Sequence, residues 1–132
     1  MASRELRLDY TRALAAMDPE RIVDTLSDEV VITVAVHDAP LVGKDVARFL
    51  FGVLGEELRG FQVTDELIEG ASAAVSFEAG IRERTAQGLN LLRLDENGQV
   101  RELTVYFRPL ESLQLVAEVV GPRMAARFGA PG

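Results

Sequence analysis

The feature that most constrains the fold is a change of hydrophobic period near Gly60. Before it, apolar residues recur at spacings of three and four. After it they alternate, in the four segments FQVTDELIE, ASAAVSFEAGIRE, GLNLLRL and QVRELTVYF, separated by Gly70, by ERTAQG and by DENG. Alternation bounded by short turn-forming stretches predicts four strands joined as a hairpin meander. A chain that must bury one face of such a sheet together with several helical stripes predicts an α+β domain, with the helices gathered on one face of a single curved sheet.

The first half supplies those helices. Leu6, Tyr10, Ala13, Leu14 and Met17 share one helical stripe, with Ser3 as the expected N-cap and Tyr10 on the buried face. Asp18-Pro19 is a cap followed by a first-turn proline, which predicts a second short helix through Glu20, Ile22, Val23 and Leu26. The β-branched run EVVITVAV predicts a strand covered on both faces, HDAP a turn, and LVG a short return strand. In KDVARFLFGVLGEEL the residues Val46, Phe49, Leu50, Val53, Leu54 and Leu58 form the apolar stripe of a third helix. Beyond Arg108-Pro109, the three-and-four spacing of Leu110, Leu113, Val116, Val120, Met124 and Phe128 predicts a closing helical segment. It is expected over residues 110–128 as a C-terminal lid, broken near Gly121-Pro122.

Composition removes several function classes. The chain has 132 residues, the length of one domain, and a net charge of −7 without any basic run, so nucleic acid is not an expected partner. It has no cysteine and a single histidine, so neither a disulfide framework nor a metal site is expected, and no cofactor is implied. No apolar run approaches the roughly 18 residues of a membrane span, and the N-terminus lacks the apolar core of a signal peptide. The default expectation is a cytoplasmic location without membrane contact.

Three stretches, YTRALAAMDPERIVDTLSDEV, LVGKDVARFL and LLRLDENGQVRELTVYFRPL, resemble the nuclear transport factor 2-like superfamily. Within it the chain is most similar to SnoaL-like proteins and ketosteroid isomerase, over nearly its whole length from Tyr10 to about Pro109. The resemblance implies a curved, mixed, mostly antiparallel sheet wrapped around the N-terminal helices. Such a sheet forms a cone with an apolar pocket, of the cystatin-like α+β roll type. The superfamily hosts isomerases, cyclases, hydrolases and noncatalytic subunits, so the fold alone does not choose an activity.

In the isomerases a tyrosine and a protonated aspartic acid donate hydrogen bonds to the substrate oxyanion while a second aspartate moves the proton. The resemblance places Tyr10 at the tyrosine, Asn90 at the protonated acid and Val34 at the proton-moving aspartate. A valine cannot accept a proton. Phe107 takes the place of an aromatic pocket residue.

The residues themselves give a compatible reading. Asn90 stands among Leu89, Leu91, Leu92 and Leu94. If it faces inward, so do Gly88, Leu92 and Leu94, while Leu89, Leu91 and Arg93 face outward. The alternation also puts Leu103, Val105 and Phe107 inward. The expected pocket lining is therefore Val34, Leu92, Val105, Phe107 and Phe49, with Tyr10 and Asn90 as hydrogen-bonding groups for the carbonyl of a small hydrophobic ligand. The alternative is a core tyrosine and a solvent-facing asparagine. Leu89 and Leu91 on the outer face call for a cover, which a back-to-back homodimer would supply.

Other polar residues read less functionally. His37, beside Asp38, Ala39 and Pro40, reads as a solvated turn residue. Glu78 faces outward if Phe77 faces the pocket. Arg93-Leu94-Asp95 resembles an arrangement found in epoxide hydrolases of the superfamily, but Asp95 opens the DENG turn. Three functions follow as alternatives. They are an isomerase or cyclase acting on a polyketide, terpenoid or steroid type of molecule, a noncatalytic ligand binder, and an interaction module.

Overall fold

In the computed structural model, which describes residues 5–129, the change of period becomes a switch from helices to sheet. Helices α1 (Asp9–Ala16) and α2 (Pro19–Asp24) lead into strand β1 (Leu26–Thr33), the two-residue β2 (Leu41–Val42) and helix α3 (Lys44–Glu57). The meander follows as β3 (Leu58–Glu69), β4 (Ser72–Ile81), β5 (Arg84–Leu94) and β6 (Val100–Arg108), and α4 (Leu110–Phe128) closes the chain. The strands form one sheet in the order β2-β1-β6-β5-β4-β3. The pairing of β1 with β6 is parallel and the other pairings are antiparallel. This is the curved mixed sheet that the resemblance implied.

Local chemistry explains most element ends. Asp18 caps α2 by accepting from the Arg21 N–H at 3.3 Å, with Pro19 behind it. The β5–β6 turn is held by the Asp95 carboxylate, which accepts from the N–H groups of Asn97 and Gln99 at 2.9 and 3.0 Å, while Gly98 takes φ 78°. Asp95 is thus committed to the turn, and Arg93 donates to the Ser72 hydroxyl at 2.6 Å. Against β4, β3 shifts register twice, once around Gly60 at φ 58°. Such bulges bend a sheet and wrap it around what lies on its concave side.

The inner face carries three successive cross-strand rows: Ala73–Leu92–Leu103, Val75–Asn90–Val105 and Phe77–Gly88–Phe107. The first row lies in the hydrophobic core with Leu14, Ile22 and Val23 of the N-terminal helices. The outer face carries the row Leu67–Ala74–Leu91–Thr104 and, beside it, Ser76–Leu89–Tyr106. Among the described residues, no helix is long and apolar enough to cross a membrane.

Three boundaries differ from the sequence reading. Helix α1 starts at Asp9 with Leu8 as N-cap, so Leu6 precedes it, and Ser3 lies outside the described residues. The cause is a carboxylate far along the chain: Glu66 of β3 accepts from the N–H groups of Arg7 and Leu8 at 2.7 and 3.0 Å and holds this segment out of the helix. Strand β1 begins at Leu26 and stops at Thr33, leaving residues 34–40 as a loop. Its partner β2 cannot lengthen, since Pro40 has no N–H to donate and Gly43 turns at φ 100°. Finally, α4 runs unbroken through Pro122. The proline leaves the Glu118 carbonyl without its helical donor. Immediately after it, however, Arg123 reaches Glu56 at 3.1 Å and Glu57 at 3.4 Å, which ties the second half of α4 to α3.

Burial alone would raise the pKa of Glu66, but the neighbouring Thr11 side chain, hydrogen bonds from the Arg7 and Leu8 N–H groups and the Arg7 charge bring it below the ordinary carboxylate value. A depressed folded-state pKa contributes stability above the unfolded value of about 4.3, and that contribution disappears as pH falls through the folded value. Glu66→Gln is therefore expected to melt below the parent protein at pH 7 and to approach it at pH 3. Melting deficits of equal size at the two pH values would refute this coupling.

Candidate functional site

On their concave side, the bent sheet and the helices enclose a cavity of about 330 Å³. Its floor is aromatic: Phe61 of β3 stacks on Phe77 of β4 with ring centroids 4.9 Å apart, and Phe77 meets Phe107 of β6 edge-on at 5.8 Å. Gly88 makes this arrangement fit. It lies between Phe77 and Phe107 in the same row, and the missing side chain leaves room for the Phe77 ring. Leu50, Phe51 and Leu54 of α3 form one wall and Val116, Val120 and Met124 of α4 another. The β1–β2 loop borders the space with residues 34–37 and 39–40. A volume at the lower end of small-molecule pockets and an almost wholly apolar lining suit a compact hydrophobic molecule.

The polar contribution from the sheet is Asn90. It is 3% exposed, and its Nδ2 donates to the Tyr10 hydroxyl at 2.8 Å, inside the protein. The alternation on β5 places it there: Ala86, Asn90 and Leu92 are buried while Gln87 and Arg93 are exposed. Tyr10 is itself 2% exposed and stands behind the amide rather than lining the cavity. Burial pushes the Tyr10 phenol pKa well above its ordinary value, a rise opposed in part by the Asn90 hydrogen bond, so the phenol keeps its proton at physiological pH.

Asn90 Oδ1 is buried and has no hydrogen-bond partner in the protein. A carboxamide has two ends of similar shape, and a phenol can either accept from Nδ2 or donate to Oδ1. In either orientation one end of Asn90 engages Tyr10 and the other is without a partner in the protein.

The remaining expected pocket residues divide. Val34, Val105 and Phe107 line the cavity with Asn90. Leu92 does not, because its row is one step further into the core, where it is fully buried. Phe49 does not either. It lies on the flank of α3, where its ring meets Phe128 edge-on at 5.6 Å and lies 6.0 Å from the Arg127 guanidinium, so it clips the end of α4. On α3 the aromatic residue at the cavity is Phe51, which the spacing Ala47, Leu50, Phe51, Leu54 already marks as a second stripe of the same helix.

His37 also departs from the sequence reading. It is half-buried, it borders the cavity, and its Nδ1 is enclosed without a hydrogen-bond partner. The loop is drawn inward because Val34, Ala35 and Val36 in front of it, and Ala39 and Pro40 behind it, also contribute to the apolar lining.

A bent six-stranded mixed sheet wrapped over helices, with a cavity on its concave side, is the nuclear transport factor 2-like, or cystatin-like, α+β fold. Solved structures place the chain within it. It superimposes on an uncharacterised protein with a cystatin-like fold from Silicibacter pomeroyi with a TM-score of 0.83 at 23% identity, covering 91% of this chain and 86% of that one. A steroid delta-isomerase from Pseudomonas aeruginosa matches with a TM-score of 0.80 at 23% identity, over 96% of this chain and all of that one. A nuclear transport factor 2-like protein of unknown function from Burkholderia xenovorans matches with a TM-score of 0.65 at 20% identity, over 80% and 86% of the two chains. No protein-family model matches the sequence, and no curated protein matches it significantly. At these identities the likeness defines the fold.

Proposed function

We propose that this chain binds a small, largely apolar molecule of polyketide, terpenoid or steroid type in the cavity, with Asn90 orienting its carbonyl group. The observation that carries this reading is the carboxamide itself. One end is held by Tyr10 and the other is unpartnered inside an apolar enclosure, where an unmatched polar group costs about 1–3 kcal/mol. With the amide turned so that Tyr10 donates to Oδ1, a ligand carbonyl would accept from the freed Nδ2 and remove that cost. The likeness to a steroid delta-isomerase supports a ligand of this shape and polarity. In this reading α4 is the lid, since Val116, Val120 and Met124 give the cavity a wall that a single helix can move.

Isothermal titration with the bicyclic ketone 2-decalone tests the proposal. Asn90→Leu preserves bulk and apolarity at the site but removes the amide, so it is expected to weaken binding roughly tenfold. Equal affinity in the two proteins would rule out an orienting role for Asn90. A noncatalytic role is the second reading, and it draws on Val34, which stands where the resemblance implies the proton-moving aspartate. In that case the ketone binds and is released unchanged.

A further inference from the structure

Two residues with polar side chains, Asn90 and His37, border the cavity among its described lining residues, and His37 is the titratable one. They come from different places in the fold, Asn90 from the inner face of β5 and His37 from the loop joining β1 to β2. Each has a buried polar atom without a partner in the protein, Oδ1 of Asn90 and Nδ1 of His37. Buried polar atoms in folded proteins are nearly always matched, and an unmatched one points to a missing ligand or water or to a chemical role. Here two such atoms belong to residues that border one apolar space.

From this juxtaposition we propose that His37 is the proton carrier of the cavity, acting on a carbon next to the carbonyl that Asn90 orients. The proposal rests on the binding reading given above and adds a reaction to it. The neutral imidazole takes a proton from that carbon, and the C–H electron pair becomes a C=C bond. The carbonyl π pair moves onto oxygen, where the unspent end of Asn90, in its donor orientation, stabilises the charge. The imidazolium then returns the proton, either to the same carbon or, in a β,γ-unsaturated ketone, to the far end of the allyl system. Returning it there moves the double bond into conjugation. No electrons are gained or lost overall, and no second reactant is needed.

The placement suits the task. Val34, just beyond β1, borders the cavity but has no basic atom, and His37, three residues later, borders the same space. The cavity lining contributed by α1, α3, β3, β4, β5, β6 and α4 carries no other titratable side chain among the described residues. Its chain neighbour Asp38 is exposed.

Deuterium uptake from heavy water into the positions flanking the carbonyl of 2-decalone, followed by mass spectrometry, reads proton abstraction directly. The intact protein is expected to accelerate exchange above the buffer rate. His37→Gln is expected to lower the rate by at least 100-fold, while affinity for the ketone changes less than about threefold. His37→Ala is expected to behave alike and to regain part of its rate when free imidazole is added, which a purely structural histidine would not show. Exchange no faster than buffer in the intact protein, or undiminished in both variants, overturns the proposal. Titration of the same samples separates the two readings. A ketone that binds without exchanging removes the role of His37 and leaves the binding site standing, whereas a ketone that does not bind removes both.

Discussion

Gly88→Ala is expected to lower stability by about 3 kcal/mol and to weaken ketone binding in the same protein. A Cβ at this position would stand 2.3 Å from Phe77 Cζ, 2.7 Å from Phe77 Cε1 and 2.8 Å from the Tyr106 carbonyl oxygen. Neither neighbour retreats easily. The Tyr106 carbonyl is backbone of β6, next to the residue with which Gly88 pairs, so withdrawal would part β5 from β6. Phe77 is stacked on Phe61 and edge-on to Phe107, and the open volume beside these rings is the cavity itself. The substitution therefore converts ligand space into space for a displaced ring. Urea unfolding measures the first effect and titration with 2-decalone the second. The double variant Gly88→Ala/Phe77→Leu is expected to recover about 1 kcal/mol or more relative to the sum of the single changes. A shorter side chain relieves the contacts with Phe77 but not the one with Tyr106. Strict additivity would mean that Phe77 is not what the new methyl group meets.

The same row shows what could be read from sequence. Alternation alone placed Gly88, Asn90, Leu103, Val105 and Phe107 on one face, because a strand with one buried face cannot slip its register without exposing every apolar side chain. It predicted direction but not depth. Leu92 and Asn90 point the same way, and which of them meets the cavity depends on how far the helices reach over the sheet. Helical spacing likewise located α3 but did not choose between its two stripes. Phe49 went to the flank and Phe51 to the cavity, a choice made by where α4 docks.

What sequence could not supply were contacts between distant segments. Glu66 ends the reach of α1 from 58 residues away, through hydrogen bonds to Arg7 and Leu8 that no local pattern announces. The proline in α4 reads as a break until Arg123 is seen held by Glu56 and Glu57. His37 is the most consequential case for function. Asp38, Ala39 and Pro40 around it are turn residues, and turns usually face water. The apolar residues on either side pull this one against the cavity. Its neighbours in the sequence predicted the turn correctly and its exposure wrongly.

Asn90→Asp is expected to produce a stability deficit that grows with pH and reaches about 4 kcal/mol near pH 7. The site is buried, the cavity around it is apolar, and no lysine or arginine borders that cavity among the described residues. Tyr10 offers one hydrogen bond, which cannot replace the hydration of a carboxylate. The aspartic acid should therefore remain protonated in the folded protein at pH values where it is ionised in the unfolded chain. The native state then binds more protons, so stability relative to the parent falls as pH rises above about 4, by about 1.4 kcal/mol per unit until the folded pKa is passed. Urea midpoints for both proteins at several pH values between 5 and 8 give the difference directly. Taking that difference cancels Glu66 and every other titrating group the two proteins share. A deficit independent of pH would mean that water reaches position 90 in the folded state. A rising deficit would explain what asparagine achieves here. It presents a neutral hydrogen-bonding group to the cavity at every physiological pH, whereas an aspartic acid in the same place does so only by staying protonated, at the expense of stability.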